Sequence, residues 1–107
     1  MQSQQLVEFV IEQLENMKAR DIVTLDVEER ASFTDYMVIC SGNSTRHVKS
    51  IVDNLHTEIK QTDVDTLGLE GGDVGEWCLL DLGDVVVHVM TDECRDFYQL
   101  EKLWSEH

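Results

Sequence analysis

Residues Glu76–Met90, EWCLLDLGDVVVHVM, have the pattern of two β-strands joined by a tight turn. Gly83 takes the first central position of LGDV and supplies the positive φ that a type II′ turn requires. The turn fixes the register, since side chains alternate between the two faces of a hairpin. One face is then wholly apolar, which predicts the side that lies on the core, with the cross-strand pairs Leu82–Val85, Leu80–Val87 and Cys78–Val89.

The second face of the predicted hairpin combines large apolar side chains with polar ones. Trp and Met are enriched at the centre of protein interfaces, where a few polar groups add specificity. The pattern leaves two interpretations open: this face is a partner-binding surface, or another helix of the same chain covers it. Its predicted cross-strand pairs are Asp81–Val86, Leu79–His88 and Trp77–Met90.

Outside the hairpin, hydrophobic periodicity predicts three helices and three further strands. A first amphipathic helix runs from about Ser3 to Ala19. The strands DIVTLDV and DYMVIC follow, and DYMVIC is apolar on both faces, as is typical of a strand in mid-sheet. SGNST ends that strand and caps a second helix at Asn43 or Ser44, before a short strand around TLGLE. A last helix is predicted from about Asp92 to Trp104.

The order α-β-β-α-β-β-β-α predicts one α/β (α+β) domain, residues 1–107, with helices packed on a mixed sheet of about five strands. A chain of this length forms a core without disulfide or metal staples. Tyr98 lies off the apolar stripe of the last helix, and we expect it to extend the second face of the hairpin at its edge. The predicted buried residues of that helix are Phe97, Leu100, Leu103 and Trp104.

The formal net charge is -14, with 22 acidic residues against 8 Lys and Arg. A protein that grips phosphate backbones over a broad surface needs basic residues, so the composition argues against direct nucleic-acid binding. Residues 61–107 hold only two basic residues, Arg95 and Lys102. Such a field attracts a basic partner, and association slows as salt rises. Solubility alone is the competing explanation of the acidity.

No apolar run approaches the roughly 18 residues that span a bilayer, and the N-terminus has neither a basic region nor a cleavage site. We therefore expect a cytoplasmic protein without membrane contact. Cys40, Cys78 and Cys94 are odd in number and lie far apart in the sequence. Free thiols in a reducing compartment explain them better than a disulfide or zinc framework.

Three features allow a chemical role, and each also has a structural explanation. The loop CSGNSTRH could bind an anion through the backbone N–H groups of a helix N-terminus and through Arg46 and His47. It lacks both glycine patterns of phosphate-binding loops. DVD, at 63–65, offers paired carboxylates for magnesium without nucleotide-binding residues beside it. No motif places a nucleophile beside His88. We therefore predict no catalytic set and no cofactor.

Three blocks of sequence, SFTDYMVICSGNSTRHV, GEWCLLDLGDVVVHVM and RDFYQLEKLW, resemble the RsfS family of ribosomal silencing factors, also called Iojap or YbeB. The resemblance covers about Asp21 to Trp104, nearly the whole chain. It implies a fold like that of nucleotidyltransferases, without their catalytic carboxylates. It also implies binding to ribosomal protein L-fourteen of the large subunit, a steric block of small-subunit joining and repression of translation under nutrient limitation. A link to late large-subunit assembly is implied as well.

We therefore predict a non-enzymatic binding protein of the large subunit, with no DNA contact and RNA contact at most peripheral. Two alternatives remain open. One is a nucleotidyltransferase-like enzyme that binds nucleotide and magnesium through SGNS and DVD, and the other is a homodimer formed through the apolar hairpin. The predicted contact residues are the anchors Trp77 and Leu79, the acids Asp81 and Asp84 that would pair with Lys or Arg, and His88, Met90 and Tyr98.

Overall fold

The computed structural model describes residues 1–105. This part of the chain forms one domain, and the predicted α/β architecture with a mixed five-stranded sheet is confirmed. The final helix departs from the prediction because it is divided in two. The elements are α1 (Ser3–Asn16), β1 (Arg20–Asp26), β2 (Tyr36–Gly42), α2 (Thr45–Ile59), β3 (Gly68–Glu70), β4 (Trp77–Asp81), β5 (Val85–Thr91), α3 (Asp92–Tyr98) and α4 (Leu100–Ser105).

The strands lie in the order β1-β2-β5-β4-β3. β2 and β5 run parallel at the centre, and the other neighbours are antiparallel. Parallel neighbours need a crossover connection, to which α2 contributes here. β2 is buried from Met37 to Gly42, so the mid-sheet position predicted for DYMVIC is confirmed. Its two apolar faces serve two separate clusters of buried residues.

The first face of the sheet packs under α1 and α2. Ser44 is the N-cap of α2, as predicted, and its Oγ accepts a hydrogen bond from the His47 N–H at 3.1 Å. The apolar stripes of both helices meet the inward side chains of the sheet in one continuous core. Its fully buried members include Val10, Leu14, Val38, Val48, Leu55, Ile59, Cys78, Leu80, Val87 and Val89.

The first helix is shorter than predicted, since it ends at Asn16 and not at about Ala19. Lys18 has a φ of 61°, in the left-handed region that ends a helix. The Lys18 N–H donates to the Glu15 carbonyl at 2.9 Å, and the Ala19 N–H to the Leu14 carbonyl at 3.0 Å. These two bonds form a Schellman motif, with a lysine where glycine is usual.

The hairpin has the predicted register. Leu80 pairs with Val87, and Leu79 pairs with His88. The Leu82 N–H donates to the Val85 carbonyl at 2.9 Å, and Gly83 has the expected positive φ, 85°. The apolar face is buried against the helices, as expected from the alternation of side chains.

The last helix was predicted to run unbroken from about Asp92 to Trp104, and this is wrong. Gln99 adopts the left-handed conformation with φ 49°, which ends α3 at Tyr98 and turns the chain into α4. Because the turn rotates the apolar stripe, Phe97 is 79% exposed and Leu103 is 72% exposed. Of the four residues predicted to be buried, Leu100 is buried and Trp104 is partly buried.

Together α3 and α4 cover one half of the second sheet face. Beneath them is a second cluster of buried side chains, which is smaller than the first. Arg95 holds the two short helices together by donating from Nε and Nη2 to the two carboxylate oxygens of Glu101, at 2.8 and 2.7 Å. Its Nη1 donates to Ser41 Oγ in β2 at 2.8 Å. Over residues 1–105 we find no helix with the length and apolarity that crossing a membrane requires.

Candidate partner-binding surface

The second face of the hairpin is partly open. Trp77, Leu79 and Asp81 of β4 project from it and are half-buried. On the neighbouring strand β5, His88 is buried with 5% of its surface exposed. The sequence left open whether this face binds a partner or is covered by a helix, and neither interpretation holds for the whole face. The helices α3 and α4 cover the C-terminal end of β5 and leave β4 accessible.

Met90 lies on the covered half of the face. Its side chain is fully buried in the second cluster, beside Met37, Ile39 and Leu100. The expectation that Met90 lies on the open face with Trp77 is therefore wrong. The reason is the chain reversal after Thr91, which places the C-terminal helices directly over the end of β5.

Trp77 makes a specific hydrogen bond within this face. Its Nε1–H donates to Nδ1 of His88 at 2.9 Å, and the two ring centroids lie 5.9 Å apart. Burial lowers the pKa of His88 from 6.5 to about 4, so the imidazole is neutral at physiological pH. A neutral imidazole that accepts at Nδ1 carries its proton on Nε2. His88 therefore acts here as an acceptor beneath the surface.

Trp77 is the first of three aromatic side chains that pack in a row toward the solvent. The Tyr98 ring lies 4.9 Å from the Trp77 ring, and the Phe97 ring packs edge-on against Tyr98 at the same distance. Tyr98 is 55% exposed, so its predicted position at the edge of the face agrees with the structure. We call Trp77, Phe97 and Tyr98 the exposed aromatic cluster. It is apolar and reaches solvent, as does the half-buried Leu79 of β4.

Sequence reasoning missed Phe97 as a surface residue. The spacing of Phe97, Leu100 and Trp104 fits one helical stripe, which predicted burial. The left-handed turn at Gln99 breaks the stripe, and no glycine or asparagine marks that position. The sequence therefore carries no local signal from which the exposure of Phe97 could have been found.

Of the two predicted acidic contact residues, Asp81 precedes the hairpin turn and Asp84 is its second central residue. Asp81 Oδ1 accepts a hydrogen bond from the Gly83 N–H at 2.9 Å, so this carboxylate also stabilises the turn. Asp84 is exposed, and its backbone carbonyl accepts from the N–H groups of Asp35 and Tyr36. Glu70 of β3 pairs with Leu79 and is exposed, which adds a carboxylate that the sequence analysis did not single out.

The loop between β2 and α2 is held by internal hydrogen bonds. Nδ1 of His47 accepts from the Asn43 N–H at 2.8 Å, and Nε2 lies 2.8 Å from the Met17 carbonyl. Ser44 caps the helix, as described above. The side chains of His47 and Ser44 thus link the loop to its helix and to the end of α1, while Arg46 is exposed.

The carboxylates of the segment DVD point to solvent. Asp63 forms an ion pair with the α-ammonium group of Met1 at 3.2 Å, and this contact lowers the pKa of its carboxyl. Asp65 is exposed. Within residues 1–105 no three His, Cys, Asp or Glu side chains are grouped so that they could hold a metal ion.

The three cysteines are free thiols. Burial raises the pKa of Cys40 to about 12. Burial is also the main cause of the raised pKa of Cys78 and of Cys94, and the nearby Glu76 adds to it at Cys94. Thiolates are the reactive form of cysteine, so all three side chains are poor nucleophiles in this structure.

Comparison with known proteins identifies the family to which the chain is similar. The family model described as "Ribosomal silencing factor during starvation", RsfS, matches residues 1–107. A ribosomal silencing factor of Haemophilus influenzae is 47% identical over 100 residues, which are 94% of this chain and 98% of the relative. That of Chromobacterium violaceum is 41% identical, over 98% of this chain and 86% of the relative.

Solved structures and a more distant relative extend the comparison. A crystal structure from Chromobacterium violaceum has a TM-score of 0.96 and 40% identity, over 100% of this chain and 89% of that one. A crystal structure from Bacillus halodurans has a TM-score of 0.86 and 36% identity, over 94% of each chain. The mouse protein named "Mitochondrial assembly of ribosomal large subunit protein 1" is 36% identical over 92% of this chain and 45% of its own length. The chain belongs to the RsfS family of ribosomal silencing factors.

Proposed function

We propose that this protein silences ribosomes by binding the large subunit through ribosomal protein L-fourteen. Bound there, it sterically blocks the joining of the small subunit and represses translation when nutrients are limiting. Family membership supports a ribosomal partner. The name of the mouse relative supports the large subunit as the particle concerned, and it extends the proposal to a role in large-subunit assembly.

The observation that carries this proposal is the exposed aromatic cluster on the open half of the second sheet face. Tyr98 contacts both Trp77 and Phe97, and this cluster reaches solvent, whereas Met90 on the same face is buried beside Leu100. Aromatic side chains that can be fully desolvated by a partner are typical centres of binding energy. Trp77 is therefore the anchor of the proposed interface, with Leu79 beside it.

Charge supports a basic partner. Asp84, Glu70 and Glu76 are exposed around the hairpin and Asp81 is half-buried, while the net charge of the chain is -14. Carboxylates at the rim of an interface steer a partner that carries Lys and Arg, and they repel the phosphates of RNA. We therefore place the main contact on a ribosomal protein, with RNA at most at the periphery.

The test is co-sedimentation with separately purified large and small subunits. Trp77→Ala should weaken binding to the large subunit by about 2 kcal/mol or more, about thirtyfold, because truncation removes the central anchor. Phe9→Ala is the matched control, since Phe9 is also a half-buried aromatic residue but lies on α1, against the first face of the sheet. Phe9→Ala should bind normally. Equal binding by Trp77→Ala and the unmodified protein would contradict the anchor role.

We propose further that the protein acts by binding alone, without catalysis. The residues that a nucleotidyltransferase would use have other partners, because Ser44 and His47 hold the β2–α2 loop and Asp63 pairs with Met1. Calorimetric titration with a nucleoside triphosphate and magnesium should therefore give no heat of binding. A dissociation constant in the micromolar range would instead favour the enzyme.

The remaining parts of the proposal concern location and stoichiometry. Ribosomal subunits join in the cytoplasm of bacteria, and we place the activity there. We propose that one copy binds each large subunit, and that any homodimer formed through the open face competes with that binding, because both contacts use the exposed aromatic cluster. Light scattering with and without large subunits distinguishes the two states, since a dimer that persists on the subunit would contradict this competition.

A further inference from the structure

His88 is almost completely buried, so its own surface offers a partner very little to contact. Its Nδ1 nevertheless accepts the one hydrogen bond that the Trp77 indole can donate, at 2.9 Å. The two residues are diagonal neighbours on adjacent strands, because Trp77 pairs with Met90 and His88 pairs with Leu79. The regular register of β4 and β5 therefore sets the distance between the two rings.

The hydrogen bond and the ring contact constrain the indole from two sides. His88 holds the ring through Nε1, and Tyr98 packs against it with centroids 4.9 Å apart. A side chain that is already held in its bound orientation loses little conformational entropy when a partner docks. An indole N–H that is already paired also loses no hydrogen bond to water when the partner excludes solvent.

The acceptor is available over the whole physiological range. Burial favours the neutral imidazole, with a pKa of about 4, and only the neutral form has a lone pair on Nδ1. A protonated histidine would carry a hydrogen on Nδ1, which would face the indole N–H. The hydrogen bond would then be lost, because both groups are donors. The neutral imidazole that this hydrogen bond requires is therefore the form of His88 present at physiological pH.

We propose that His88 is a positioning residue, which fixes the Trp77 indole for partner binding and saturates its N–H without touching the partner itself. This inference rests on the proposed function, since it assigns a cause to the anchor role of Trp77. It distinguishes His88 from Leu79 and Asp81, whose side chains reach the surface. It also changes the role that the sequence analysis gave to His88, from a contact residue to a support beneath the contact.

Two substitutions separate positioning from mere packing. His88→Leu fills the space with an apolar side chain but removes the acceptor. His88→Asn places an amide oxygen near the position of Nδ1 but leaves a cavity and a second polar group in a buried site. We expect His88→Leu to be the more stable variant and the weaker binder, and His88→Asn to be the less stable variant and the stronger binder. A purely structural role would order stability and binding in the same way.

The binding readout is co-sedimentation with purified large ribosomal subunits. His88→Leu should bind about tenfold more weakly than the unmodified protein, as expected when a docked indole N–H is left without an acceptor and the ring is free to rotate. His88→Asn should restore binding to within about threefold of the unmodified protein. Equal binding by His88→Leu and the unmodified protein would overturn the proposal.

A spectroscopic readout tests the positioning without any partner. The indole N–H resonance of Trp77, assigned with the Trp104→Phe variant, should exchange slowly with solvent in the unmodified protein and in His88→Asn, and faster in His88→Leu. An unchanged exchange rate in His88→Leu would overturn the proposal. If the unmodified protein fails to bind large subunits, the proposed function fails, and the exchange rate alone then decides whether His88 positions the indole.

Discussion

The two faces of the β4–β5 hairpin both carry large apolar side chains, but the chain uses the two faces differently. On the first face, Cys78 and Leu80 are fully buried under α1 and α2. On the second face, Trp77 and Leu79 of the same strand are half-buried and border the exposed aromatic cluster. A single strand therefore supplies both core and surface. Period-two alternation therefore identifies the two faces, whereas the position of the C-terminal helices decides which part of a face stays open.

The largest effect should come from two adjacent leucines that lie on opposite faces. Leu80→Ala should lower the free energy of unfolding by about 2–5 kcal/mol, because it leaves a cavity in the first core. Leu79→Ala, the matched control, should cost about 1 kcal/mol or less, because Leu79 is already partly in contact with water. Urea unfolding measures both. Equal losses would show that the second face is as closed as the first.

The pH dependence of stability tests the buried part of the second face. The pKa of His88 is lowered to about 4 from 6.5, so the unfolded chain binds its proton more readily than the folded one. Stability should therefore fall as the pH drops from 6.5 to about 4, by on the order of 2–3 kcal/mol from this residue. His88→Leu should remove that part of the loss. Parallel curves for the two proteins, measured by thermal unfolding across this range, would contradict it.

The contact between α3 and α4 is the next test, because it keeps the covered half of the second face covered. Glu101→Gln should lower the free energy of unfolding by about 1 kcal/mol at pH 7, through loss of the paired hydrogen bonds from Arg95. Arg95 holds the pKa of Glu101 below its usual 4.5, so this contribution is present above pH 4.5 and is lost as the pH falls below it.

The control for that pair is Asp92→Asn, which breaks the more exposed ion pair with Arg20. Exposed pairs contribute little, so this change should cost less than Glu101→Gln. Urea unfolding at pH 7 and pH 4 compares the two variants. A Glu101→Gln loss that stays constant between these pH values would contradict the ionic origin of the contact.

Helix ends offer a smaller test, one on each side of the sheet. Gln99 ends α3 and Lys18 follows α1, and both have positive φ, which glycine adopts without steric cost. Gln99→Gly and Lys18→Gly should each raise the free energy of unfolding by about 0.5 kcal/mol. Thermal unfolding of both variants measures this gain. A loss of stability in Gln99→Gly alone would mean that its side chain contributes to packing over the second face.

The smallest predicted effect concerns the rate of association. Asp84→Asn should slow binding to large subunits roughly twofold at low salt, with little change in dissociation, because Asp84 is exposed at the rim of the open face. Glu12→Gln removes the same charge from the exposed side of α1 and is the control. Stopped-flow mixing at two salt concentrations separates the variants. Equal rates for both would indicate that only net charge matters.

Most of the fold was predictable because its signals are local. The alternation around Gly83 predicted the hairpin register, and a capping residue at Asn43 or Ser44 predicted the start of α2. The ends of α1 and α3 were not predictable, since Lys18 and Gln99 adopt a conformation that their residue types seldom take. Local hydrogen bonds close both turns, from Lys18 and Ala19 back into α1 and from Gln99 to Arg95, but no glycine or asparagine at either position marks them in the sequence.

The candidate site was predictable in part for the same reason. Strand alternation placed Trp77, Leu79 and Asp81 on one face, and the structure leaves all three accessible. Met90 obeys the same alternation, but α3 and α4 bury it. Phe97 became a surface residue only through the turn at Gln99. The partition of the second face depends on how distant elements pack, which periodicity does not encode.

The position of β5 determines when the sheet can fold during synthesis of the chain. β5 is the last strand within residues 1–105 but occupies the middle of the sheet, and its register joins Tyr36 to Val85 and Gly42 to Thr91. Pairings between residues so far apart in sequence form slowly, because closing the long intervening segment costs entropy first. A nascent chain that stops short of Thr91 therefore cannot complete the centre of its sheet, and the native sheet forms only after β5 has been synthesised.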